Sequence, residues 1–180
     1  MDHGIMRYPD DEAVSRPLII SYSYSGHTEQ IARAIRSVTG GDWCGIYPWQ
    51  PYPMAFTELL DQVRKEIQTG YHPRLLPGFS SPKPYPVIFA GSPNWCGRVA
   101  PPLASWLAKN DLSGKTILPF YSHCGGVPCD FSREIARICP KAEVGRALGI
   151  TGEEMADLPE MIREWLAENG LPTAAVPYAV

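Results

Sequence analysis

Three short stretches gather the side chains that could do chemistry. They are Ser23-Tyr24-Ser25-Gly26-His27-Thr28, Gly91-Ser92-Pro93-Asn94-Trp95-Cys96-Gly97 and Ser122-His123-Cys124-Gly125-Gly126. The first offers hydroxyls, a glycine and the start of a helical pattern. A helix N-terminus presents unpaired amides and the positive end of its dipole, which suits an anion. No lysine stands in this stretch, so a triphosphate with magnesium fits poorly and a single terminal phosphate fits better. In the second, an indole and an amide between two glycines could lie against a planar ring and its polar edge. In the third, glycines allow a flat ligand close to the backbone, and His123 could hydrogen-bond a heterocycle. Taken singly, each has an ordinary structural reading: a serine-rich helix cap, a lid over the core, a mobile turn.

The elements around these stretches alternate between strand and helix. Pro17 to Tyr22 reads as a buried first strand, followed by Ile31, Ala34, Ile35 and Val38 at helical spacing up to Gly40-Gly41. Asp42 to Trp49 reads as strand two; Phe56, Leu59, Leu60, Val63 and Ile67 form the stripe of a second helix closed by Gly70. Tyr71 to Tyr85, broken by four prolines, reads as a long connection. Pro86 to Gly91 is strand three, Leu103, Trp106 and Leu107 mark helix three, and Lys115 to Tyr121 is strand four. Phe131 to Cys139 is helix four and Val144 to Ile150 strand five, before a last helix with Asp157 and Glu160 in capping-box spacing. This alternation predicts a parallel sheet, because parallel neighbours need crossover connections. The expected fold is α/β, a three-layer sandwich around a five-stranded parallel sheet, with order 2-1-3-4-5 the leading candidate. Residues 17–180 are read as one domain preceded by a polar N-terminal arm, 1–16. In such a sheet, ligands lie beyond the carboxyl ends of the strands. The three stretches follow strands one, three and four, so all meet at one edge.

Composition narrows the function classes. A net charge of −3 gives no support for a nucleic-acid partner. The longest apolar runs fall far short of the roughly 20 residues that span a membrane, and no apolar h-region opens the chain. The five cysteines form no CxxC pair, which points to reduced thiols and a cytoplasmic address. His123, Cys124, Cys129 and Cys139 match no common zinc spacing, so no metal is expected. Leu112-Ser113-Gly114-Lys115-Thr116 has GKT but no glycine five residues before Gly114, and it enters a strand rather than leaving one.

These motifs together resemble the flavodoxin-like family. Ser23 to Thr28 is similar to its phosphate loop, S/T-x-S/T-G-x-T, with His27 where asparagine is commoner. Gly91 to Gly97, then Leu112 to Thr116, resembles the branch carrying G-x-P-N-W-x-G and F-S-G-K, and Ser122 to Gly126 resembles its T-H-x-G-G loop. Tyr47-Pro48-Trp49-Gln50-Pro51-Tyr52-Pro53 matches its proline-rich passage, so the likeness spans residues 17–169. Flavodoxin is itself one of the proteins that exemplify ligand binding at the switch point, and the expected placement of flavin mononucleotide (FMN) is therefore implied by the resemblance.

Carried over by position, the resemblance implies that Ser23, Tyr24, Ser25, Gly26, His27 and Thr28 hold the FMN phosphate. Pro93, Asn94, Trp95, Cys96 and Gly97 would meet one side of the ring, and Ser122, His123, Gly125 and Gly126 the other. Cys96 stands where a second aromatic is often seen. The flavin would carry the redox chemistry, so no side chain need act as acid or nucleophile. The expected function is an FMN-dependent oxidoreductase of the quinone or flavin reductase type, exchanging electrons with NAD(P)H, a quinone or a redox partner protein. The alternatives are a one-electron carrier, whose acidic surface the small net charge does not match, and a flavin-free binding module on the same fold. Tyr47, Trp49, Tyr52 and Phe56 would line a homodimer surface or pack on the core, and the sequence leaves both open.

Overall fold

The structure is a computed structural model that describes residues 16–78, 81–125 and 129–172. Of the N-terminal arm only Arg16 lies within this range; its guanidinium pairs with Asp42 at 2.7 Å. Gly126 lies outside the described residues.

The strands are β1 (Leu18–Ser21), β2 (Asp42–Gly45), β3 (Val87–Trp95), β4 (Arg98–Val99), β5 (Thr116–His123), β6 (Glu143–Val144) and β7 (Leu148–Thr151). The helices are α1 (His27–Thr39), α2 (Phe56–Thr69), α3 (Pro101–Lys109), α4 (Phe131–Ile138) and α5 (Leu158–Glu168). The sheet runs β2-β1-β3-β5-β6 with β7 also on β5, all parallel, while β4 pairs antiparallel with β3. With β6 and β7 as one interrupted fifth strand, and the short β4 left aside, this is the expected order 2-1-3-4-5.

Strand side chains alternate between faces. Ile20, Ile88 and Ile117 pack with Leu59, Val63, Leu103, Leu107 and Ile135 of α2, α3 and α4. Ile19, Phe89, Leu118 and Phe120 pack on the opposite face with Ile31, Ile35, Ile162 and Trp165 of α1 and α5. Chain leaving β1 therefore turns to one face and chain leaving β3 to the other, although these strands are neighbours with Ser21 opposite Gly91. Gly91 is required there, since a Cβ would overlap the Phe120 ring.

Several boundaries differ from expectation for visible reasons. Strand two ends at Gly45, not Trp49. Pro48 bridges Leu75 instead, with Trp49 N–H donating to Arg74 O at 2.7 Å and Leu76 N–H to Tyr47 O at 2.8 Å. The fifth strand breaks at 145–147 because α5 captures that backbone: Arg146 N–H donates to Asn169 Oδ1 at 2.9 Å, and Trp165 Nε1–H to Arg146 O at 2.6 Å. Asp157 and Glu160 form no capping box; a 3₁₀ turn, Glu153–Asp157, leads directly into α5. Helix four ends one residue early, at Ile138. Phe56, read as part of the core stripe of α2, is 73% exposed, and the buried position on that helix beyond Val63 is Glu66.

Candidate functional site

The site forms where β1 and β3 send their chains to opposite faces, the position at which open parallel sheets bind ligands. At the end of β1 the chain reaches Gly26, which takes φ 92°, a left-handed conformation natural to glycine. Ser23 Oγ caps α1 from inside the loop, accepting the Gly26 amide at 3.1 Å and the Glu29 amide at 3.2 Å. Thr28, 1% exposed, shares a 2.8 Å hydrogen bond with Ser122 Oγ of β5. These residues tie the loop together, and the loop to its neighbouring strand. Ser25 and His27 remain exposed, sharing a 3.0 Å bond between Oγ and Nδ1.

The second stretch is not the open loop that its glycines suggest. β3 continues through Pro93, Asn94 and Trp95 and folds back as β4 across Cys96-Gly97, with Asn94 opposite Val99 and Trp95 opposite Arg98. Cys96 at φ 56° and Gly97 at φ 76° both take the left-handed conformation, as a tight hairpin turn matching the strand twist requires. Three bonds hold this hairpin. Ala100 N–H donates to buried Ser92 Oγ at 3.1 Å, and Glu134 of α4 accepts Val99 N–H and Arg98 Nε–H, each at 2.8 Å. The third stretch likewise begins on a strand, Ser122 and His123 being the last residues of β5. Gly125 N–H donates to His123 Nδ1 at 3.2 Å, which leaves the proton of the neutral ring on Nε2.

A cavity of about 430 Å³ joins all three. Tyr24, Ser25 and His27 line it from the first loop, Pro93 to Gly97 from the hairpin, and Ser122, His123 and Gly125 from the end of β5. Ser23, Gly26 and Thr28 stand behind these lining residues. Sequence reasoning missed Phe56, Leu59, Ile150, Gly152 and Met155, which complete the walls. The end of strand five obeys the same carboxyl-edge rule and could have been found by it. Phe56 could not, because its helical spacing reads as core. Trp95 stands edge-on to three tyrosines, with ring centroids 5.4 Å from Tyr22, 5.8 Å from Tyr24 and 4.9 Å from Tyr52. Burial holds the Tyr22 and Tyr52 phenols well above the usual tyrosine range. Near Gly152, Glu154 accepts the Thr151 amide at 2.7 Å and its hydroxyl at 2.8 Å. Those bonds hold the Glu154 carboxyl below its usual range.

The donor set fits a phosphate monoester on a planar ring. At the mouth of α1 stand hydroxyls, the His27 imidazole and a helix terminus with no lysine or arginine, and apolar walls from Trp95, Phe56, Ile150 and Met155 complete the cavity. Among the described residues no cluster of His, Cys, Asp or Glu could hold a metal ion.

The fold and this edge cavity define a class: doubly wound α/β proteins that bind a ligand at the switch point of the sheet. Within it, the family model for flavodoxin matches residues 16–167, and the chain belongs to that family. Among solved structures, a provisionally assigned flavoprotein from Bacteroides eggerthii superposes with a TM-score of 0.74 at 21% identity, covering 87% of this chain and 99% of the other. A flavoprotein from Lactobacillus acidophilus, solved in complex with FMN, gives 0.66 at 19% identity, covering 84% and 99%. Oxidised flavodoxin 2 from Bacillus cereus gives 0.51 at 20%, covering 87% and 99%. No curated protein matches the chain.

Proposed function

We propose that the protein binds FMN non-covalently in the switch-point cavity and works as an FMN-dependent oxidoreductase in the cytoplasm. The observation that carries this reading is the convergence on one cavity of a lysine-free helix-terminus loop, an indole wall and the Ser122–Gly125 turn. Bound FMN would supply reversible electron and hydride transfer. The chain's own residues bind and orient it. Ser25, His27 and the amides opening α1 hold the phosphate, with Ser23, Gly26 and Thr28 keeping that loop in shape. Pro93 to Gly97 cover one side of the ring, and Ser122, His123 and Gly125 stand at the other, with Nε2–H of His123 available to a ring acceptor. Gly126, next in the sequence and outside the described residues, completes the set that the motif implies.

The net charge of −3 favours a reductase acting on small molecules over a carrier, which docks a basic partner through a strongly acidic surface. Phe56 on the cavity wall and Met54, 90% exposed two residues before it, suit a flat, apolar acceptor such as a quinone.

Equilibrium binding of FMN and riboflavin to the purified protein tests the cofactor assignment. FMN is expected to bind more tightly, and Ser25→Ala to weaken FMN by about 1–2 kcal/mol while leaving riboflavin unchanged. Equal affinity for both ligands would remove the phosphate site from the proposal. Steady NAD(P)H oxidation with a quinone then tests the reductase; a loaded protein that turns over neither substrate belongs with the carriers.

A further inference from the structure

Helix α2 departs from its own pattern at position 66. Leu59 and Val63 face the core, and the next buried residue of the helix is Glu66, only 7% exposed. A carboxylate taken out of water is unfavourable unless its oxygens are bonded. Here Oε2 accepts the Tyr52 phenol at 2.5 Å and Oε1 accepts Gln62 Nε2–H at 2.9 Å. Neither partner carries a charge, so the arrangement is one of directed hydrogen bonds rather than an ion pair.

What the phenol bond fixes is a ring. Tyr52 is 6% exposed and makes the shortest aromatic contact to Trp95, its centroid 4.9 Å away at an interplanar angle of 77°. Tyr52 also borders a second cavity of about 230 Å³, lined by Trp49, Glu66 and Arg74 among others. The ring thus borders open space as well as the indole, and the bond to the carboxylate fixes its phenol end. An apolar residue at position 66 would fill the core without holding the phenol.

We propose that Glu66 is a positioning residue for the flavin site: by holding the Tyr52 phenol it locks the ring that braces Trp95, and so presets the indole wall before the ligand arrives. The ligand half of this statement rests on the FMN reading; the lock exists in the ligand-free protein.

Two readouts separate the parts. The near-ultraviolet circular dichroism of the ligand-free protein reports the aromatic cluster, with Trp95→Phe identifying the indole contribution. The FMN dissociation constant reports the wall. Glu66→Leu and Tyr52→Phe are expected to alter the Trp95-dependent band and to raise the dissociation constant on the order of tenfold. Glu66→Gln keeps an acceptor for the phenol, and is expected to keep the band and to stay within about threefold of the parent. A purely structural role would lower stability but leave both readouts of the folded protein unchanged. The proposal is overturned if Tyr52→Phe leaves the band and the affinity as they were, or if Glu66→Gln is as damaging as Glu66→Leu. Should Glu66→Leu fail to fold, Tyr52→Phe decides. If the parent protein binds no FMN, the cofactor reading fails and the dichroism alone decides the lock.

Discussion

At the scale of single residues, Cys96 carries the clearest strain. It is the one non-glycine residue among those described with a positive φ, at 56°, where an L side chain crowds its own backbone. Asparagine adopts this conformation more readily in hairpin turns. Cys96→Asn is therefore expected to stabilise the fold by about 0.5–1 kcal/mol in denaturant unfolding. Thr28 presents the opposite case. The family motif casts it as a phosphate ligand, yet its hydroxyl is buried against Ser122. Thr28→Val leaves a buried serine hydroxyl without that partner, an expected loss of about 1–2 kcal/mol in stability. Ser25, exposed at the cavity, should be the more specific phosphate reporter, since its removal leaves no buried group unpaired.

At the scale of elements, the hairpin of β3 and β4 holds the Trp95 wall, and Ser92 within β3 and the distant Glu134 on α4 hold the hairpin. Ser92 is fully buried and accepts the Ala100 amide. Ser92→Ala strands that amide, so a destabilisation of about 1–3 kcal/mol is expected, together with weaker FMN binding, by calorimetry and ligand titration. The 3₁₀ turn beside the cavity gives a pH dependence. The folded pKa of Glu154 is lowered, so its stabilisation is present above the unfolded carboxylate range and is lost as pH falls through the folded value. Wild type is expected to lose stability more steeply than Glu154→Gln below about pH 4.5, followed by thermal unfolding across acid buffers. The alternation of strand and helix was legible in the sequence because buried strands and amphipathic helices differ in period. The hairpin was not, because Gly, Pro and Asn in its outer half read as loop, and its pairing depends on Glu134, 35 residues from Val99.

At the scale of the molecule, two apolar layers enclose one sheet, and the cavity sits at the edge where those layers part. Among the described residues no helix is long and apolar enough to cross a membrane. Burial also links the aromatic interior to alkaline stability. Tyr85 is pushed up to about 12, mainly by desolvation and by donating to Asp42, and Tyr22 and Tyr52 are raised further. Raised folded pKa values stabilise fully below the unfolded tyrosine range, near pH 10, and that contribution disappears as pH climbs through the folded values. Tyrosinate absorbance from these rings is accordingly expected to rise together with loss of the far-ultraviolet dichroism, above about pH 10, rather than before it.

The amino-acid order alone determined the α/β alternation and the three stretches that follow strands one, three and four, because hydrophobic period and turn chemistry are local properties; it made 2-1-3-4-5 the leading strand order, which the tertiary pairing then decided. Only the tertiary structure decided which motif residues face the cavity and which stand behind it. It placed Phe56 and Met155 on the cavity walls and turned Glu66 inward against Tyr52. Those outcomes depend on which distant backbone and side-chain groups meet, and no local spacing encodes such meetings.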